Sequence, residues 1–270
     1  MDSAVAVAQT FASHAALSFV GALAGSWFLV LAIRVALARA GGGAGLGALP
    51  PRRALVVRVL LCAALLVGAA LAFTSLAEAL DRRTAISHFD IALAEALHLH
   101  LSLTTLQAFA SVTRLGDVAT LTGLCIVVAG LLVWRGQHTL AFFWVLAVAG
   151  NGVLNGFLKR TFERGRPVHD HAVFVADHGF SFPSGHSSGA LVTYGMLAYV
   201  ILRLAPVRWQ LPVLMAATAI AVTTGLSRIV LQVHYASDVL AGFASGLCWL
   251  SLCVMCVEWQ RLRPTAPPKH

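Results

Sequence analysis

Long apolar runs, broken by short polar segments, set the pattern of this chain. Seven of them, residues 15–33, 54–76, 118–134, 139–158, 185–204, 212–226 and 239–257, are candidates for helices crossing the ~30 Å hydrocarbon layer of a bilayer. In lipid every backbone N–H and C=O must be paired within the protein, and a helix does this inside its own segment. The breaks have the chemistry of turns. Gly41–Gly47 and Pro50-Pro51-Arg52-Arg53 part the first two runs, Arg135-Gly136-Gln137-His138 parts the third and fourth, and Arg203 and Arg208 bracket the turn before Pro212. One stretch has a different rhythm. Between Asp81 and Gly116, residues Ile86, Phe89, Leu93, Leu97 and Leu101 recur at helical spacing among polar neighbours. This predicts amphipathic helix that lies on the bilayer surface or caps the bundle. His98 and His100, two apart, do not share a helix face. With His88 they read as interfacial histidines rather than metal ligands.

Composition supports this picture. Of 270 residues, 59% are hydrophobic and only 11% charged, against about 25% charged in soluble domains, and the mean hydropathy is +0.82. The formal charge of +8 would suit a nucleic-acid binder, but the basic residues sit in short loops between apolar runs, so no nucleic-acid partner is expected. The five cysteines, Cys62, Cys125, Cys248, Cys253 and Cys256, all lie inside apolar runs. They read as small buried hydrophobes, with no metal site or disulfide framework. Met1–His14 lacks the basic residues of a cleaved leader, and the basic tail from Gln260 is expected to be disordered.

Charge also orients the bundle. With the N-terminus outside, eleven of the 19 Lys and Arg fall at cytoplasmic ends, as the positive-inside bias requires. Five of the remaining eight (Lys159, Arg160, Arg164, Arg166 and Arg228) belong to three polar stretches that all fall on the outer face. The expected topology is therefore N-terminus out and C-terminus in, periplasmic and cytoplasmic if the membrane is a bacterial inner membrane.

Those stretches carry the candidate chemistry. The first is Lys159 to Pro167, with Arg166 before the proline; the second is Pro183-Ser184-Gly185-His186; the third is Ser227-Arg228 followed by His234 and Asp238. Lys159, Arg166 and Arg228, three cations brought to one membrane face, need an anionic partner, because a buried charge is costly alone, and guanidinium forks match phosphate oxygens. Ser184 is placed to N-cap the fifth span, Gly185 lets the backbone approach an anion, and a helix N-terminus cradles one. His234 and Asp238, at i and i+4, would be adjacent on a helix, the carboxylate fixing the tautomer of the imidazole. Asn151, Asn155 and Lys159 line one face of the fourth span. The asparagines serve either the site or helix–helix contact. Arg160 and Arg164 read as loop charges facing lipid headgroups.

In this order and spacing the three stretches resemble the signature of the type 2 phosphatidic acid phosphatase family, Lys-x6-Arg-Pro, Pro-Ser-Gly-His and Ser-Arg-x5-His-x3-Asp, at every defined position. The resemblance over its motifs covers about residues 139–257, and hydropathy extends it to about Ala54. It implies an all-α, multi-spanning transmembrane bundle with a six-helix phosphatase core. The chain then divides into residues 1–53 (an extra N-terminal span and its loop), 54–258 (the core) and 259–270 (a cytoplasmic basic tail). It further implies that His234 attacks phosphorus to form a phosphohistidine and that Asp238 orients it. His186 would protonate the leaving group and then activate water. Lys159, Arg166, Ser184, Gly185 and Arg228 would bind phosphoryl oxygens, with Pro167, Pro183, Ser227 and Asn155 in support. No cofactor or metal is implied, the cations supplying the electrostatic stabilisation. The expected partner is a membrane lipid phosphate, held by its tail in the bilayer: phosphatidic acid, phosphatidylglycerophosphate or undecaprenyl pyrophosphate. A lipid-linked phosphotransferase and a non-catalytic lipid-phosphate binder or transporter are the alternatives. The vanadium haloperoxidases of the same family are soluble, unlike a chain of seven apolar runs. Headgroup selection is expected from residues 168–182 and 81–116. No motif sets the oligomeric state.

Overall fold

The computed structural model describes residues 2–40, 50–81, 84–167 and 179–260. Among these, the regular structure is helical: α1 (Asp2–Ser13), α2 (Ala15–Ala40), α3 (Pro51–Asp81), α4 (Ala85–His100), α5 (Leu103–Val112), α6 (Val118–Trp134), α7 (His138–Phe162), α8 (Gly185–Leu204), α9 (Gln210–Val230) and α10 (Ala236–Gln260). Short 3₁₀ turns at Thr113–Gly116 and Val207–Trp209 lead into α6 and α9. Seven segments are long and apolar enough to cross a membrane: Leu17–Ala36, Arg52–Leu80, Leu103–Trp134, His138–Phe162, Gly185–Leu204, Val207–Val230 and Ala236–Gln260. These are the seven runs of the sequence, most with longer ends. The extensions matter because they carry Lys159 into α7 and Arg228 into α9.

The amphipathic stretch is two helices, not one. Leu101 is extended and Ser102 caps α5 by accepting the Thr105 N–H at 3.2 Å, which breaks the helical run after His100. Helix α4 packs its apolar face, Leu93, Ala96 and Leu97, on Ala8 and Ala12 of α1. It contributes one buried charge, Asp90.

In lipid the tails are as apolar as leucine, so helices associate through close packing and hydrogen bonds. Trp144 of α7 packs with Ala147, Val192, Met196, Cys253 and Val257 in a core shared by α7, α8 and α10. Its indole N–H donates to the Cys125 carbonyl of α6, and Trp249 of α10 donates to the Ala147 carbonyl, both at 2.9 Å. Gly242 lets α10 meet α8: a Cβ there would lie 2.5 Å from the Ser184 carbonyl oxygen. The five cysteines are unpaired, with Cys253 inside the core. Helix α2, the additional N-terminal span, lies against α9, where Trp27 Nε1 donates to the Met215 carbonyl at 3.0 Å.

The two ends of the bundle differ in polarity. At one end, buried Glu258 accepts from Tyr199 Oη at 2.6 Å and pairs with Arg203 (3.4 Å) and Arg58 (3.5 Å), tying α3, α8 and α10 together. Arg58, near the start of α3, thus has a protein partner. The opposite end gathers the C-termini of α7 and α9 with the N-termini of α6, α8 and α10, and all three polar stretches meet there.

Candidate active site

His234 lies in the turn between α9 and α10, not on a helix as its spacing to Asp238 implies. The turn starts when Gln232 adopts a left-handed conformation (φ 55°). Asp238, in the first turn of α10, reaches back and accepts the Tyr235 N–H at 2.8 Å, in the manner of a capping box. The four-residue spacing is thereby kept across a helix start, and His234 Nδ1 sits 3.6 Å from Asp238 Oδ2. Ser181 fills the gap. Its Oγ lies 3.3 Å from His234 Nδ1, and its hydroxyl donates to Asp238 Oδ2. All three side chains are buried.

The other face of the imidazole meets Arg166, whose Nη1 lies 3.4 Å from His234 Nε2. A guanidinium has donors and no acceptor. Nε2 therefore presents its lone pair, and Nδ1 carries the proton towards Ser181 and Asp238. Burial, aided by the charges of Arg228 and Arg166 and opposed by Asp238, pushes the His234 pKa down to about 3. The ring is thus a neutral base at physiological pH, its Nε2 lone pair turned towards Arg166. Arg166 is held by the Val233 and Gly179 carbonyls at 2.9 and 3.1 Å.

The Pro183–His186 stretch follows a cis Phe182–Pro183 bond. Ser184 N-caps α8 by accepting from the Ser187 N–H (3.4 Å) and the Ser187 hydroxyl (2.9 Å). Both bonds use it as an acceptor, so its own proton is not spent in them. The N–H groups of Gly185 and His186 open the helix, where no intrahelical partner exists. The backbone of Ser184 donates to the Asp238 carbonyl at 2.9 Å, tying this stretch to the third. Gly185 has a packing reason as well as an anion-binding one, since a Cβ there would lie 2.9 Å from Asn155 Oδ1. Asn155 in turn donates to Ser188 Oγ (3.4 Å) and the Pro183 carbonyl (3.5 Å), and Asn151 also reaches Ser188 Oγ at 3.4 Å. The asparagines thus brace the α8 N-terminus, combining support of the site with helix–helix contact.

His186 has a carboxylate of its own. Its Nε2 lies 2.8 Å from Oδ1 of Asp117, the residue before α6. Lys159 donates to the Phe180 carbonyl at 2.7 Å. Arg228 is almost wholly buried and donates to Thr113 Oγ1 at 3.0 Å, in the turn that leads to Asp117. Ser227 bonds back to the Thr224 carbonyl of its own helix at 2.6 Å, so its support is local. Pro167 is buried beside Arg166. Residues 168–178, including His169, His171 and His178, lie outside the described residues. A wall of three rings, Phe73, Phe162 and Phe182, with centroids 5.0–5.8 Å apart, flanks the site at the end of α3.

Arg164 departs most from the sequence reading. It is no headgroup-facing loop charge. Its Nη1 donates to Asp238 Oδ1 (2.6 Å) and Ser237 Oγ (2.7 Å), its Nη2 donates to Asp90 Oδ2 (2.9 Å), and its guanidinium stacks 4.3 Å from the Tyr235 ring centroid. Asp90 also accepts from the Ser237 N–H (3.1 Å) and hydroxyl. Burial raises the Asp90 carboxyl above the usual carboxylate range, with Ser237 and Arg164 opposing. Sequence reasoning missed Asp90, Asp117, Ser181 and the role of Arg164. The available signal was that Asp90 is a charge on the amphipathic stretch, adjacent to its apolar stripe at Phe89.

Among the described residues, no group of three or more His, Cys, Asp or Glu is arranged to hold a metal ion. The arrangement brings cations and the N-terminus of α8 up to a neutral imidazole.

Comparisons with known proteins agree with the motif assignment. A family model described as PAP2 superfamily matches residues 140–262. The chain is 35% identical over 144 residues to phosphatidylglycerophosphatase B of Bacillus subtilis (strain 168), covering 52% of this chain and 70% of that protein. It is 37% identical over 127 residues to a lipid A 1-phosphatase of Rhizobium johnstonii, covering 44% of this chain and 46% of that protein. A lipid A 1-phosphatase of Rhizobium etli is 37% identical over 113 residues, 39% of this chain and 44% of that one. The chain therefore spans less than half the length of the two lipid A phosphatases. The crystal structure of a transmembrane PAP2-type phosphatidylglycerolphosphate phosphatase from Bacillus subtilis matches with a TM-score of 0.67 and 30% identity, over 73% of this chain and 97% of that one.

Proposed function

This chain belongs to the PAP2 superfamily of phosphatases, and on that premise we propose that it hydrolyses a lipid phosphate through a phosphohistidine on His234. The observation that carries the reading is the pairing of His234 Nε2 with Arg166 Nη1 at 3.4 Å, while Nδ1 faces Ser181 and Asp238. A phosphoryl group seated on Arg166 puts phosphorus within reach of that lone pair. His234 attacks, the bond from phosphorus to the lipid oxygen breaks, and His186 gives that oxygen its proton. His186 then takes a proton from water as its oxygen attacks phosphorus; the bond from phosphorus to Nε2 breaks, which frees His234 and releases inorganic phosphate. Arg166, Lys159, Arg228, the Ser184 hydroxyl and the first N–H groups of α8 stabilise charge on the equatorial oxygens. Their cations supply the electrostatic role that metal ions take in other phosphoryl-transfer enzymes.

The substrate class follows from place. A phosphate site at the end of a transmembrane bundle suits a lipid whose tail remains in the bilayer. The relative covered to the larger share is a phosphatidylglycerophosphatase, which puts phosphatidylglycerophosphate first, ahead of phosphatidic acid and undecaprenyl pyrophosphate. The basic-residue distribution supports an outer-face site with the N-terminus out. The test is a panel of lipid phosphates offered to wild type and His234→Ala in detergent, with and without EDTA. Release of phosphate by the wild type, undiminished by EDTA, is expected. Full activity in His234→Ala would sink the mechanism.

A further inference from the structure

Asp238 has two carboxylate oxygens, and the site uses them differently. Oδ2 faces His234 Nδ1 and receives the Ser181 hydroxyl and the Tyr235 N–H. Oδ1 is taken by Arg164 Nη1 at 2.6 Å. With Oδ1 fixed, the carboxylate cannot rotate its Oδ2 away from the imidazole. Arg164 is itself clamped: Asp90 holds Nη2 at 2.9 Å and the Tyr235 ring lies 4.3 Å away. Asp90 also accepts the Ser237 N–H and hydroxyl at the start of α10, one residue from Asp238. One aspartate therefore fixes both the guanidinium and the helix end on which Asp238 rides.

The charges make a second point. Paired with Asp238 alone, Arg164 would draw the carboxylate's charge away from the imidazole and weaken its hold on the Nδ1 proton. A second carboxylate on the other arm of the guanidinium shares that positive charge. Asp238 is then anchored without being neutralised, and the imidazolium-like charge that develops on His234 during attack keeps its counter-ion.

We propose that Arg164 and Asp90 are a positioning pair for the Asp238–His234 couple, Arg164 fixing the carboxylate and Asp90 fixing Arg164. Arg164 falls at an undefined position within the first motif stretch, whereas Asp90 lies outside all three and is delivered by α4, a helix that packs on α1. The proposal rests on His234 being the nucleophile.

The experiment measures phosphate release from phosphatidylglycerophosphate or phosphatidic acid in detergent by wild type, Arg164→Gln, Arg164→Lys, Asp90→Asn, Asp238→Asn and the double variant Arg164→Gln/Asp238→Asn. Outer partners of reacting groups act on a scale of about 10–100-fold. Arg164→Gln and Asp90→Asn are expected to lower kcat by about that factor with KM little changed, and Arg164→Lys to recover part of the loss. In the Asp238→Asn background, Arg164→Gln is expected to cost little more, because the group it acts through is already altered. The same loss in both backgrounds, a change in KM alone, or an unchanged kcat would each overturn the proposal. Should Arg164→Gln fail to fold, as shown by its thermal midpoint, Asp90→Asn carries the test, since it keeps every site contact of Arg164 except that to Asp90. Failure of the catalytic reading itself is distinguishable: it shows as an inactive wild type or a fully active His234→Ala, whatever the Arg164 variants do.

Discussion

Arg166 Nη1 faces His234 Nε2 at 3.4 Å, a permanent donor against the lone pair of a neutral ring. In water a histidine lone pair takes a proton near pH 6.5; here burial and the adjacent cations keep it free. The contact predicts a covalent intermediate at that atom. Wild type quenched during turnover of radiolabelled lipid phosphate should carry label in a phosphoramidate bond, labile to acid and stable to alkali. His234→Ala should carry none and lose at least about 10³-fold in kcat, the scale on which nucleophile removal acts.

The same low pKa predicts how His234 affects stability. The unfolded imidazole takes a proton near pH 6.5, whereas the folded one waits until about pH 3. Between these values the unfolded state binds more protons, so the His234 contribution lowers stability as pH falls through 6.5 towards 3. A His234→Gln variant lacks that penalty. Its detergent thermal midpoint, relative to wild type, should rise between pH 7.5 and pH 5. A difference that stays flat with pH would mean that the ring protonates in the folded protein.

The spans and the three motif stretches were legible because both are local patterns. Apolar run length reports a membrane crossing, and Lys159 to Arg166 or His234 to Asp238 each lie within one turn or two of the chain. What was illegible was long-range. Arg164 meets Asp238 across 74 positions, Asp90 meets Ser237 across 147, and His186 meets Asp117 across 69. No spacing rule joins such pairs, since only the packing of α4, α6 and α10 brings them together. Arg164 was misread for a related reason: a basic residue at a membrane face is compatible with lipid headgroups until a buried carboxylate is found beside it. The His234 turn was misread because a four-residue spacing fits both a helix interior and a capping turn.

Glu258 predicts a stability effect separate from activity. It is buried at the end of the bundle away from the motifs, with Tyr199, Arg203 and Arg58 around it. Glu258→Gln keeps the shape but weakens three charge-assisted contacts, those to Tyr199, Arg203 and Arg58. Arg203 and Arg58 are partly exposed, so water recovers some of the loss, and a cost of about 1–3 kcal/mol is expected. The thermal midpoint should fall while kcat on a lipid phosphate stays within about twofold of wild type, on the rule that distant sites act independently. A large fall in kcat at a temperature where the variant is folded would connect this end of the bundle to the site.

Asp117 predicts a loss in the acid–base step alone. Its carboxylate lies 2.8 Å from His186 Nε2, and it is fixed in place because it follows the Thr113–Gly116 turn, where Arg228 binds Thr113. With Nε2 held by a carboxylate, the imidazole keeps a defined orientation and stabilised charge, which suits a group that must give a proton and later take one. Asp117→Asn should lower kcat by about 10–100-fold. The phosphorylated form of His234 should still be captured with an activated aryl phosphate, whose leaving group departs without a proton. The variant should therefore lose more on lipid phosphates than on the aryl phosphate. Because the water step, which also uses His186, is common to both substrates, the comparison is made on the rate of phosphohistidine formation; equal losses there would place Asp117 in phosphate binding or folding instead.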